Sequence, residues 1–365
     1  MVPGSLYKGR VSRFVMKKYL FYCSQLYCLS IFRPLQQAIR DRGFEAAWFF
    51  VNADMGVDNL DSNEKLLKTV QEVKNYNPDA VFSPVTLVPD FFPGLKVHVF
   101  HGLATDQTGK KGHFRVRGLY DLYCTRGEEE TRFFKEAAKK QPHFEVVETG
   151  WPKVDPLFSD REMNGIREEL NTDKPVIFYA STFSPSLTFA SYLVETIKRL
   201  SQSGRYHWIV TLHPKSDPEV MSQYRALAGP DLTFYESNQD VLPLLRAGDV
   251  MLCDTSSIAI EFMLLEKPVV TFRTKAPAPY VLNVTEVSDI EPALATALTR
   301  PEPLMKEIHQ FVSVIHPYRD GKSSDRVLDA TNALIDKGTG HLLDKPLNLL
   351  RKYRIRKQLK YYRFS

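Results

Sequence analysis

The chain has 365 residues, enough for two domains of ordinary size rather than one. With 43% hydrophobic and 25% charged residues its balance is globular, which excludes a disordered or collagen-like chain. The formal charge of +5 sits at the ends: residues 351–365 carry seven Lys or Arg and residues 1–18 five more, none matched by a carboxylate side chain. Residues 19–350 hold 36 bases against 43 acids, so the body is mildly acidic. A nucleic-acid surface carries its positive charge along a folded face, and no such partner is expected.

Basic residues at 8–18 precede an apolar run from Tyr19 to Phe32 that has the outline of a secretory leader. The run contains Ser, Gln and Tyr and passes into Arg33-Pro34 without a small-residue cleavage site. It also falls short of the ~20 apolar residues that span a bilayer. It reads as a strand at 18–23, a turn, and a helix in which Leu26, Leu29, Phe32, Leu35 and Ile39 share one face and which Gly43 closes. Strands are predicted next at 45–51, 79–83, 96–100, 120–124 and 144–149, with helices at 61–74 and 127–139. After Gly150-Trp151-Pro152 a helix is predicted at 160–170, and the alternation restarts. Strands at 175–180, 206–212, 231–235, 249–253 and 268–273 are interleaved with helices at 186–202, 217–227, 239–247 and 256–265. Short β-branched and aromatic runs, each followed by a helix, indicate parallel sheets covered on both faces. The fold class is therefore α/β, with two doubly wound Rossmann-like domains. The divisions expected are 1–155, 156–326, and a C-terminal helix and tail at 327–365.

Cys23, Cys28, Cys124 and Cys253 lie in or near apolar runs without C-x-x-C spacing. They read as buried thiols, which excludes a disulfide framework and a thiolate metal site and fits the cytoplasm.

Ligands of open parallel sheets bind where loops leave the carboxyl ends of strands. Val97 to Phe100 runs into His101-Gly102; a histidine here reads first as structural, though glycine allows a ligand close to the backbone. The following Thr105, Lys110, Lys111 and Gly112 form a basic loop, which would suit a phosphorylated substrate or simply be solvated. Trp208 to Leu212 runs into His213-Pro214-Lys215, where a histidine and a cation together suit an anionic oxygen or a leaving phosphate. Asp249 to Cys253 runs into Asp254-Thr255-Ser256-Ser257 and a helix through Glu261. One hydroxyl would cap that helix, whereas three in succession point to phosphate at its positive end. Phe178-Tyr179-Ala180 runs into Ser181-Thr182, a cap signal in isolation. The segments G-x-x-x-x-G-K-[ST], H-E-x-x-H, G-x-S-x-G and an early G-x-G-x-x-G are absent, which argues against P-loop, metalloprotease, α/β-hydrolase and classical dehydrogenase chemistry.

Taken in order, these strand ends resemble the CDP-glycerol glycerophosphotransferases, the teichoic acid polymerase and primase group. That family carries an H-G motif, a G-[YWF]-P-x-x-D stretch (Gly150 to Asp155) and a strand ending in Y-A-P-T (Tyr179 to Thr182). H-P-K (His213 to Lys215), D-x-S-S (Asp254 to Ser257), K-P-V-V-x-[FY] (Lys267 to Phe272) and D-G-K-[AS]-S-[ED]-R (Asp320 to Arg326) follow. The resemblance spans roughly residues 97–326. The chain departs from it after His101-Gly102, where Leu103-Ala104-Thr105-Asp106 replaces T-P-x-K, and at Ser181, where the family has Pro. Both departures lie on the acceptor or catalytic side.

The resemblance implies a GT-B fold, with two domains facing across a cleft, and transfer of glycerol phosphate or a similar polyol phosphate from a CDP-activated donor. The acceptor would be a hydroxyl of a cell-envelope glycan or lipid-linked molecule. The alternative is a GT-B glycosyltransferase using a nucleotide sugar in surface polysaccharide synthesis. The implied roles are general base for His101 and diphosphate-facing group for His213. Ser181, Thr182, Lys215, Asp254, Thr255, Ser256, Ser257 and Glu261 fall on the donor side, and Gly102, Lys110 and Lys111 on the acceptor side. Neither a cofactor nor a protein-held metal is implied. In the tail, Arg351, Lys352, Arg354, Arg356, Lys357, Lys360 and Arg363 interleave with Tyr353, Ile355, Leu359, Tyr361, Tyr362 and Phe364. Cations with interfacial aromatics suit an anionic membrane surface, so a peripheral location on the inner face of the cell membrane is expected.

Overall fold

Buried strands alternating with amphipathic helices build two separate parallel sheets in a computed structural model that describes residues 16–103, 114–159, 165–236 and 240–362. The first unit begins β1 (Lys18–Cys23), α1 (Tyr27–Asp41), β2 (Glu45–Phe50), α2 (Ala53–Asn59), β3 (Lys65–Leu66) and α3 (Val70–Tyr76). It continues β4 (Ala80–Ser83), β5 (Leu95–Val99), β6 (Leu122–Thr125), α4 (Glu128–Lys140) and β7 (Glu145–Glu148). The second runs α5 (Ile166–Leu170), β8 (Val176–Ser181), α6 (Ala190–Ser201), β9 (His207–Leu212), α7 (Pro218–Ala226) and β10 (Leu232–Phe234). After these come α8 (Leu242–Ala247), β11 (Val250–Cys253), α9 (Ile258–Met263), β12 (Val269–Phe272), β13 (Leu282–Val284) and α10 (Ile290–Leu298). The chain closes with α11 (Glu302–Ile315), α12 (Ser323–Lys337) and α13 (Leu349–Gln358).

Strand order is β3-β2-β1-β4-β5-β6-β7 in one sheet and β10-β9-β8-β11-β12-β13 in the other. Both are doubly wound, and each reverses direction once, between β1 and β4 and between β8 and β11. The crevice at such a reversal is where open α/β sheets take their ligands. Central strands are buried on both faces, which is why KYLFYC and VIFYAS read as unbroken apolar runs. One apolar cluster joins the units, running from Phe21 and Trp48 through Trp151 and Val154 to Phe178 and Met251. The four cysteines are buried thiols.

The helix predicted at 61–74 is instead a two-residue strand followed by α3. Thr69 starts that helix by accepting from the Glu72 amide at 3.1 Å, while the Glu72 carboxylate takes the Lys68 amide at 2.7 Å. This T-x-x-E signature marks a helix start that the broader apolar spacing concealed. Of the helix predicted at 160–170, α5 is the part that falls among the described residues. The division expected at 326/327 falls inside α12, which packs on the first unit: Arg42 meets Asp325 at 2.7 Å and Lys17 meets Asp336 at 2.7 Å.

The passage between the sheets is a lock made by two of the sequence motifs. Gly150 has φ +80°, and a Cβ there would lie 2.5 Å from Ser323 Oγ, so glycine is required. The Trp151 indole donates to the carbonyl of Phe100 at 2.7 Å, fixing the residue before His101. Buried Asp155 accepts the amides of Ser323 and Ser324 at 2.8 and 2.7 Å, capping α12, which has no side-chain cap of its own. Replacing Asp155 with alanine orphans both amides, and the expected loss is about 2–4 kcal/mol of unfolding free energy in a denaturant titration.

Two buried histidines are held neutral. His98 donates from Nδ1 to the Ser83 carbonyl at 3.0 Å, and burial pushes it down to about 3. His316 Nε2 accepts the Trp151 amide at 3.0 Å, and burial pushes it down to about 4. Both bind a proton more readily when unfolded, so stability is full above the ordinary histidine value near 6.5 and falls as pH drops from there toward about 4. Melting temperature should decline across that window, and replacing His316 with glutamine should flatten part of the decline.

A last departure concerns the tail. The β4–β5 connection carries no helix, and Ile355 of α13 joins its Val88 and Phe92 in the apolar cluster on one face of the first sheet. Ile355 is fully buried there among Tyr22, Phe49 and Val73, a burial that contributes about 1.5–3 kcal/mol. Arg356 grips Asp90 at 2.6 and 3.3 Å and lies over the Phe91 ring, on which Tyr361 also stacks. Ile355, Arg356 and Tyr361 thus point inward rather than toward a membrane; Arg363 and Phe364 lie outside the described residues.

Candidate active site

Three expected donor-side positions, Ser181, Thr182 and Asp254, meet at the reversal point of the second sheet. Ser181 ends β8 and Asp254 follows the adjacent β11, and the Ser181 hydroxyl donates to the Asp254 carboxylate across that point. Asp254 also accepts the amides of Thr182 at 2.9 Å and Phe189 at 3.2 Å. Burial pushes its carboxyl up, and these donors pull the other way. Both Asp254 oxygens are therefore spent on protein, and Ser181 is committed to Asp254 and Thr188. These two residues brace the loop after β8 instead of reaching into solvent. Thr255 is half-buried, accepts the Lys275 amide at 2.9 Å and touches Thr274. Ser257 stands at the start of α9 and makes no side-chain cap bond, so its hydroxyl is not consumed by capping. Glu261, on α9, gives both oxygens to Lys153 Nζ at 2.8 and 2.7 Å, which ties the passage motif to the donor-side helix.

His213 leaves β9, next to β8, and is exposed. Its Nδ1 accepts the backbone amide of Lys215 at 3.1 Å. The neutral ring must then carry its hydrogen on Nε2, which makes that atom a donor. Partial burial, with Lys215 adding to it, holds the imidazole below the ordinary histidine value. Phe183 packs on the ring with centroids 4.2 Å apart, fixing its plane, and Lys215 Nζ lies over the same phenyl ring.

His101 has the opposite tautomer. It follows β5 in the first sheet, and its Nδ1 lies 2.9 Å from the Pro84 carbonyl at the end of the neighbouring β4. A carbonyl only accepts, so Nδ1 bears the hydrogen and the basic lone pair is on Nε2. Tyr27, in the first turn of α1, packs on the ring at 5.4 Å between centroids. β1, β4 and β5 are neighbours, so this cluster too sits at a sheet reversal. Gly102 is half-buried beside it; Lys110 and Lys111 lie outside the described residues.

The first sheet's reversal thus holds a basic nitrogen, and the second's an N–H donor, a cation and hydroxyls, with no hydrogen bond or ring contact between the two clusters among the described residues. Among the described residues there is no group of three or more His, Cys, Asp or Glu that could hold a metal ion. Comparison with known families decides which lineage built this arrangement: residues 97–332 match the model of CDP-glycerol:poly(glycerophosphate) glycerophosphotransferase. The chain belongs to that glycerophosphotransferase family.

Among curated family relatives, a teichoic acid poly(ribitol-phosphate) polymerase of Bacillus spizizenii is 28% identical over 214 residues, covering 50% of this chain and 33% of the relative. A teichoic acid glycerol-phosphate primase of Bacillus subtilis is 27% identical over 169 residues, covering 46% and 43%. The chain spans less than half the length of these two relatives. The solved wall teichoic acid polymerase TagF superposes with a TM-score of 0.62 at 17% identity, over 88% of this chain and 90% of that one. A UDP-GlcNAc 2-epimerase from Neisseria meningitidis gives 0.58 at 16% identity, over 87% and 100%. The architecture is GT-B.

The residues that sequence reading of this glycerophosphotransferase-family chain missed are those that orient the histidines. Tyr27 and Pro84 are far from His101 in sequence, and Phe183 is far from His213. Nothing but strand order brings them together. Lys153 lies within the passage motif and Glu261 among the expected donor-side residues, but the ion pair between them was not visible in the sequence.

Proposed function

We propose that this chain transfers a polyol phosphate, with glycerol phosphate the first candidate, from a CDP-activated donor to a hydroxyl of an envelope glycan or lipid-linked acceptor. The opposite tautomers of His101 and His213 carry the reading, because transfer of a phosphoryl group from a diphosphate to a hydroxyl takes a proton from the acceptor and leaves negative charge on the departing phosphate, which an N–H donor can meet. The acceptor oxygen attacks the β-phosphorus while its proton passes to His101 Nε2. The bond from that phosphorus to the bridging oxygen breaks, and His213 Nε2–H meets the departing CMP phosphate. Lys215, Thr255, Ser256, Ser257 and the amides opening α9 would neutralise phosphate oxygens. Ser181, Thr182 and Asp254 position that wall, and Glu261 would share its carboxylate between Lys153 and the donor ribose. The family match and the solved TagF structure soaked with CDPG support the donor class. The basic tail supports contact with an anionic membrane surface; among the described residues no helix is long and apolar enough to cross one.

The test is a nucleotide panel. CDP-glycerol or CDP-ribitol should raise the melting temperature more than UDP- or GDP-sugars do, and CMP should be released when acceptor is added. Stabilisation and turnover by a nucleotide sugar alone would overturn the reading in favour of a glycosyltransferase.

A further inference from the structure

Between α12 and the middle of α13, five apolar side chains stand in solvent within eleven residues. Leu343, Leu347, Leu349 and Leu350 are 65–78% exposed, and Tyr353 is 57% exposed. Exposed leucines are unremarkable one at a time, but a run of this kind marks a surface that something covers. The segment is not a loose end. The Leu343 amide donates to the Pro142 carbonyl at 2.9 Å, and Lys345 meets Asp121 at 2.6 Å. Asn348 and Arg351 donate to the carbonyls of Gly118 and Arg117 at 2.7 and 2.9 Å, and Ile355 anchors the helix. With its backbone held at these points, the segment presents its leucines outward.

On α13 the outward stripe is Leu350, Tyr353, Arg354 and Lys357, spaced i, i+3, i+4 and i+7 and all exposed. Its first half is apolar and its second half cationic. Arg354 and Lys357 have no ion-pair partner among the described residues, whereas Lys352 and Arg356 are bound to Asp90. Asp344 is the one carboxylate side chain from 338 to 362.

We propose that this face is a docking surface for an anionic lipid layer. Leu343, Leu347, Leu349, Leu350 and Tyr353 enter the boundary between headgroups and acyl chains, and Arg354 and Lys357 meet lipid phosphates. The inference rests on the membrane contact proposed above and names its residues: it keeps Tyr353, Arg354 and Lys357 of the tail read from sequence, adds four leucines that precede or open α13, and leaves out the inward Ile355 and Arg356. Charge decides the occupant. A second copy docking by the same face about a two-fold axis would set Arg354 and Lys357 against their own equivalents. An anionic bilayer supplies both an apolar interior and the opposite charge.

The test is flotation of the full chain with vesicles of phosphatidylcholine alone and of phosphatidylcholine with phosphatidylglycerol in equal parts. Wild type should float with the anionic vesicles and not the neutral ones. The double variants L349S/L350S and R354E/K357E should each lose at least about tenfold in apparent affinity. Melting temperature and CMP release with a soluble acceptor should stay unchanged, since these side chains are exposed and make no contact with either histidine among the described residues. If wild type floats and both variants float equally well, this surface is wrong while membrane contact stands. If wild type does not float, membrane contact fails as well. Dimers in sedimentation that L349S/L350S converts to monomers would assign the face to a second copy and overturn the proposal.

Discussion

Replacing His101 with alanine should lower CMP release in the presence of acceptor by at least about a hundredfold, with the melting temperature within a degree or two of wild type. The size follows from the ~10²–10⁴-fold that a positioned general base contributes. The stability expectation follows from place. His101 is exposed, so the variant gives up the bond to the Pro84 carbonyl at the surface without leaving a cavity in the core. A glutamine at 101 separates the roles, because it can donate to Pro84 but offers no basic nitrogen; it should be about as inactive as alanine. Tyr27 supplies the control for orientation. Its ring packs on His101, so Tyr27→Ala should lower turnover less than His101→Ala does, while Tyr27→Phe retains the packing and the rate. Near-wild-type turnover in His101→Ala would remove the base from the mechanism.

The second large effect belongs to His213. His213→Ala removes the Nε2–H donor from the leaving side and should again cost at least about a hundredfold in turnover. His213→Asn can still donate a hydrogen bond but cannot deliver a proton, so it should fall between alanine and wild type if hydrogen bonding to the phosphate contributes. The histidine is exposed and packs on Phe183, so neither change disturbs the apolar cores. Donor affinity, read by the melting shift with CDP-glycerol, should weaken in His213→Ala and stay near wild type in His101→Ala. That contrast places the two histidines on opposite sides of the reaction. Equal weakening in both would argue that they share one subsite.

Much of this architecture was legible because central strands of a parallel sheet are apolar on both faces. The predicted strands at 18–23, 175–180, 206–212 and 249–253 reappear in β1, β8, β9 and β11 within a residue or so. The order of the strands brings the polar residues that follow neighbouring apolar runs together, as Ser181 and Asp254 show. What the sequence could not reveal is which partners each polar group has already satisfied. Asp254 and Ser181 read as donor-facing, yet their bonds to each other and to the loop amides occupy them. Asp155 and Ser323 lie 168 residues apart, and only the fold makes the first a cap for the second's helix. The tail shows the same limit at the level of packing. Its composition suggested an interfacial segment throughout, but Ile355 is buried in the first sheet's apolar cluster and Arg356 is held by Asp90. The outward duty then falls on leucines that begin eight residues before the basic run.

The central claim is that one phosphorus–oxygen bond is exchanged for another between a CDP donor and an acceptor hydroxyl. Phosphorus NMR of the purified chain with CDP-glycerol and an envelope glycan acceptor measures this directly. The diphosphate signals should disappear as CMP and one new phosphodiester appear in equal amounts, and neither should form in His101→Ala on the same timescale. An unchanged CDP-glycerol spectrum, with a UDP- or GDP-sugar consumed under the same conditions, would contradict the account.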